Sequence, residues 1–81
     1  MNKDEIVIYS NGNIESVRLM NLVSSIGLPY IVYELDNEFT MNQFRMEFGE
    51  KAEFPQANCG YKYIGSLKEI LAYFKIRGII N

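Results

Sequence analysis

Short β-branched runs alternate with stretches whose apolar residues recur at helical spacing, and few folds accept that order in a chain of 81 residues. The first run, IVIY at 6–9, is too short for a helix, and Asn-Gly-Asn breaks it. Leu19, Leu22, Val23 and Ile26 then fall at i, i+3, i+4 and i+7, one face of a helix, with Val17 and Met20 at its margin. Asn13 is placed to cap that helix, Glu15 suits its positive first turn, and Gly27 with Pro29 stops it. The next run, YIVYEL at 30–35, is β-branched and aromatic and predicts a second strand.

Residues 36–49 read as a second helix, with Met41, Phe44 and Phe48 on one face and Gly49 at its end. A loop follows as far as Pro55. QANC at 56–59 predicts a third strand, which turns at Gly60 into YKYI at 61–64, a fourth. Ser66 and Glu69 have the spacing of a capping box, and Leu67, Ile70, Leu71 and Phe74 form another i, i+3, i+4, i+7 face before Gly78. The order is β-α-β-α-β-β-α. One α/β domain over 1–81 accounts for all of it, because a chain this short cannot support two cores.

Apolar residues are 48% of the chain and eleven residues are Phe or Tyr, so a core can form without metal or disulfide staples. The net charge of −2 is spread along the chain, and no basic stripe runs along it to neutralise phosphates. Nucleic acid is therefore not an expected partner. No apolar run approaches the ~20 residues that span a bilayer, and MNKDEIVIYS lacks a signal-peptide layout, so a cytoplasmic, non-membrane protein is expected. Histidine is absent and Cys59 is the single cysteine. That removes the usual general base near neutral pH, Cys/His catalytic pairs, zinc sites of Cys/His type and any intramolecular disulfide.

Four stretches together resemble a glutaredoxin over nearly the whole chain: IVIYS, SVRLMNLVSSIGLPY, EFPQ and YIGSLKEILAYF. They are similar, in order and spacing, to the family's first strand, its active-site helix, its cis-proline segment and its terminal Gly-Gly helix start. The resemblance implies a thioredoxin/glutaredoxin-like fold. Its sheet has four strands, mixed, in order 2-1-3-4, with the first two parallel across a right-handed crossover and the last two a hairpin. The first and third helices would cover one face and the second helix the other. Chains of this size also resemble those carried by bacteriophages.

Laid on the family's pattern, the Cys-Pro-Tyr-Cys motif falls on Asn13, Ile14, Glu15 and Ser16, so both cysteines are replaced. The family's first cysteine is activated by the helix N-terminus, which lowers its pKa. Asn13 can cap that helix but cannot attack a disulfide, and Ser16 brings no redox chemistry. The resemblance also places a ligand groove at Phe54, Pro55, Gly65, Ser66, Leu67 and Lys68. In it Ser66 replaces the second glycine, and Lys68 replaces the acid that meets the glutathione amino group. Glutathione remains a weak expectation, and no other cofactor or metal is expected.

Bland readings stand beside these. Ala57 and Cys59 alternate toward the core, which makes Cys59 a buried, inert thiol; the sharper reading is a relocated reactive one. Asn13 can be a plain cap, and Pro55 a plain turn. Ile14 and Phe54 would flank the old site and make it apolar. The aromatic set Phe54, Tyr61 and Tyr63 reads as packing, and Asp4, Glu5, Glu34, Asp36 and Glu38 as a solvated surface. Two functions follow. The first is a redox-inactive module that binds a protein or peptide segment through the vestigial groove. The second is a thiol-redox protein using Cys59 or residual glutathione binding.

Overall fold

The computed structural model describes residues 5–79. Its elements run β1 (Ile6–Ser10), α1 (Ile14–Ser25), β2 (Tyr30–Glu34), α2 (Met41–Phe48), β3 (Gln56–Cys59), β4 (Lys62–Gly65) and α3 (Leu67–Ile76). The four strands form one mixed sheet in the order β2-β1-β3-β4, the α/β arrangement expected above. β1 and β2 pair in parallel from Ile6 opposite Tyr30 to Ser10 opposite Glu34. β3 runs antiparallel to β1, with Gln56 opposite Tyr9 and Cys59 opposite Ile6, and β4 folds back on β3. The acidic residue Asp4 lies outside the described residues.

Alternation along β1 sends its side chains to two cores. Ile6 and Ile8 join Leu19 and Val23 of α1, Ala57 of β3, and Ile70 and Phe74 of α3 in one cluster. Tyr9 points to the other face, where Phe39, Phe44 and Phe54 form the centre of a second cluster. α1 and α3 thus share one face of the sheet and α2 takes the other. The second core is almost wholly aromatic: Phe44 stacks on Phe54 with ring centroids 4.0 Å apart.

The helix boundaries follow from their caps. Asn13 takes extended backbone (φ −71°, ψ 170°) and its side chain accepts from Ser16 N–H, the expected cap of α1. At the far end Gly27 adopts φ +77°, a left-handed conformation that a side chain would disfavour. The second helix is shorter than expected. It starts at Met41 rather than at residue 36, because Thr40 caps it and exchanges hydrogen bonds with Gln43 in a capping box. Residues 36–39 instead make a tight turn, with Asp36 at φ +69° donating its N–H to Phe39 carbonyl at 2.7 Å.

Other expectations shift at the surface. Helical spacing puts Leu71 on the core face of α3, yet it is 38% exposed, because Ile70 and Phe74 already fill the space above the sheet. Tyr61 at the hairpin tip is 85% exposed and does not pack. Cys59 is partly buried and packs against the first core, so its direction is as expected but its enclosure is not complete. No helix among the described residues is long and apolar enough to cross a membrane.

Candidate binding groove

The C-terminal end of β1 turns into α1 through a hydrogen-bonded relay. Ser10 Oγ accepts from Gly12 N–H at 3.0 Å, and Asn11 Oδ1 accepts from Asn13 N–H at 3.0 Å. Asn13 then spends both ends of its carboxamide. Its Oδ1 accepts from Ser16 N–H at 2.8 Å, and its Nδ2 donates to the carbonyl of Phe54 at 3.2 Å, across 41 residues of chain. That second bond ties the head of α1 to the segment before Pro55, whose peptide bond with Phe54 is cis.

The same segment is held from behind by Gln56. Its Nε2 donates to the Glu53 carbonyl at 2.8 Å, and its Oε1 accepts from the Tyr63 hydroxyl. Burial, and then the nearby Glu69 carboxylate, push the Tyr63 hydroxyl pKa up, so it remains a donor across ordinary pH. At the start of α3 the Glu69 carboxylate accepts from both the N–H and the hydroxyl of Ser66. Those bonds, the hydroxyl's first, lower the Glu69 pKa, against a smaller desolvation effect and with Lys68 helping.

Between these three anchored segments lies a groove of about 530 Å³, walled by Glu15, Glu53, Phe54, Ser66, Leu67, Lys68 and Leu71. Phe54, Ser66, Leu67 and Lys68 are therefore wall residues. Pro55 and Gly65 are buried and shape the groove without lining it. Gly65 sits at φ +133°, and a methyl group there would meet Glu69 Cβ at 2.8 Å, so glycine is what lets β4 pass under the first turn of α3.

The four positions at the head of α1 separate. Asn13 is the strut, and Glu15 lines the groove. Ile14, expected to flank it, is 71% exposed and forms no part of its wall. Ser16 is fully buried, and its hydroxyl has no hydrogen-bond partner among the described residues. Glu53 and Leu71 were not foreseen as wall residues. Leu71 lies four residues after Leu67, on the same side of α3, so its place was readable from helical spacing. Glu53 carried no such signal.

Cys59 is elsewhere. It pairs with Ile6 at the start of β1, whereas Gln56, next to Pro55, pairs with Tyr9 near its end. Three residues of strand, about 10 Å, separate the thiol from the groove end of the sheet. There Cys59 lines a smaller cavity of about 230 Å³ with Leu28, Tyr73 and Arg77, so a basic residue shares its surroundings. The Arg77 guanidinium lies over the Tyr73 ring at 4.8 Å. Among the described residues, no group of three or more His, Cys, Asp or Glu side chains is gathered as metal ligands would be.

No family model matches the chain, and no curated protein matches it.

Proposed function

We propose that this is a glutaredoxin-like domain without redox chemistry of its own, whose groove beside Phe54 and Pro55 holds an extended segment of a protein partner. The observation that carries the reading is Asn13. At the head of α1, where the resemblance puts an attacking cysteine, a carboxamide is fully engaged in holding the helix to Phe54. A redox cycle needs a thiolate that attacks and one that leaves, and the groove contains neither. What remains is a shaped channel with an apolar floor of Phe54, Leu67 and Leu71 and charges of both signs at its rim. The reading implies a cytoplasmic setting and no nucleic-acid partner.

The carboxylates of Glu15 and Glu53 supply from other elements the acid that Lys68 displaces. A ligand carrying both an ammonium and a carboxylate group, glutathione among them, has opposite charges to meet there.

The test is selection from a peptide library on the intact protein and on Leu71→Glu, beside an assay of glutathione-dependent turnover of a small disulfide. Peptides that bind the protein and lose the variant, with no turnover, are expected. Binders indifferent to Leu71→Glu would overturn the groove, and turnover that survives Cys59→Ser would overturn the redox-inactive reading. A second reading rests on the cavity that Cys59 shares with Arg77: turnover abolished by Cys59→Ser would make that thiol the functional group.

A further inference from the structure

On the α2 face of the sheet, away from the groove, lies a second cavity of about 540 Å³. Its walls are aromatic. Tyr9 of β1, Tyr33 of β2 and Phe48 of α2 line it, with Tyr9 at the hub. Tyr9 meets Tyr33 at 5.5 Å and 69°, and Phe48 at 5.0 Å and 66°, so both rings stand at a steep angle to it, while Phe39 and Phe44, also on the wall, stack on each other at 5.8 Å. Its polar lining is Glu38, Gln43 and Glu47, and neither lysine nor arginine contributes to it. Glu38 is held in place, its Oε1 accepting from Glu34 N–H at 2.9 Å.

Ring faces carry negative charge density, and two carboxylates add to it. A neutral apolar ligand would gain nothing from those carboxylates, which stay exposed to solvent. A compact, strongly hydrated cation would lose more water than rings can replace. The group that matches both is a cation whose charge is spread over alkyl groups. We propose that this cavity is a binding site for a small organic cation of the trimethylammonium class, held by Tyr9, Tyr33 and Phe48 and countered by Glu38 and Glu47. Burial raises the Tyr9 hydroxyl pKa most, and Glu47, then Tyr33, add to it; only the Glu47 contribution reflects a fixed negative charge beside the rings. The site shares no lining residue with the groove and does not rest on the reading given to it.

The experiment is a titration of the intact, isotope-labelled protein, followed by amide and aromatic NMR shifts. The probes are choline and its neutral isostere 3,3-dimethylbutan-1-ol. Choline is expected to give saturable shifts confined to Tyr9, Tyr33, Glu38 and Phe48, and the isostere to bind at least about tenfold more weakly. Glu38→Gln with Glu47→Gln, both at exposed positions and both keeping a hydrogen-bond acceptor, should weaken choline about tenfold and leave the isostere unchanged. Equal binding of the two probes by the unaltered protein would overturn the proposal. So would choline shifts scattered elsewhere, or none up to about 10 mM.

Discussion

Asn13 makes two bonds of different kinds with one side chain, and substitutions can separate them. Asn13→Ala removes the cap of α1 and the tie to Phe54 together, for an expected cost of about 1–2 kcal/mol. In a domain this small that lowers the thermal midpoint by about 5–15 °C. Asn13→Asp keeps the acceptor for Ser16 N–H at the positive end of the helix but sets a carboxylate against the Phe54 carbonyl. It should recover most of the midpoint while speeding amide hydrogen exchange around Phe54, measured in the same samples. Equal exchange in both proteins would mean that the tie to Phe54 holds nothing. Ser16 is the opposite case. Its buried hydroxyl finds no partner, so Ser16→Ala should leave stability unchanged or raise it by up to about 1 kcal/mol in a urea titration.

At the scale of an element, the start of α3 depends on one glycine and one carboxylate. Gly65→Ala brings a side chain into a left-handed backbone and against Glu69 Cβ, so it should cost about 2–5 kcal/mol, read by chemical denaturation. The lost stability should come with the loss of the Ser66–Glu69 pairing, since the clash falls on Glu69 itself. That pairing also sets a pH dependence. Folding lowers the Glu69 pKa from its ordinary 4.5, so its contribution is present above pH 4.5 and is lost as pH falls through the folded value. Stability of the protein minus that of Glu69→Gln should therefore shrink on acidification below pH 4.5. A difference that stays flat would show that Ser66 does not favour the charged carboxylate. The capping box of α2 is equally readable: Thr-Met-Asn-Gln has the Thr40–Gln43 spacing, and the apolar face Met41, Phe44 and Phe48 gives no support to a start at residue 36. Periodicity marks which residues share a face, whereas the cap marks where the backbone bonds begin.

Across the whole molecule, the aromatic core couples α2 to the groove. Phe44 is 1% exposed and stacks directly on Phe54, a residue of the groove wall. Phe44→Ala should cost about 3–5 kcal/mol, a large part of the 5–15 kcal/mol that a domain commonly has, and guanidinium unfolding measures it. Phe44→Leu, which leaves less empty volume, should lose less and still displace Phe54. A groove whose ligands bind Phe44→Leu as tightly as the unaltered protein would show that the two faces act separately.

What the residues by themselves made legible was local: β-branched runs, apolar residues at helical spacing, the Asn13 cap and the glycine stops each concern neighbours within a few residues, and the sheet order 2-1-3-4 came instead from the resemblance of the whole chain. Those signals determined the element order β-α-β-α-β-β-α. The three-dimensional packing decided the rest, because a wall or a hydrogen bond between distant segments has no period. Glu15, Glu53 and Leu71 enter one groove from α1, a loop and α3, and Asn13 finds its partner 41 residues away. Glu38 reads as a solvated carboxylate along the chain and is exposed in the fold, which also sets it on the lining of an aromatic cavity with Tyr9 and Tyr33. Local backbone preference fixes where a strand or helix lies in the chain; which side chains then meet depends on distances that only the folded sheet establishes.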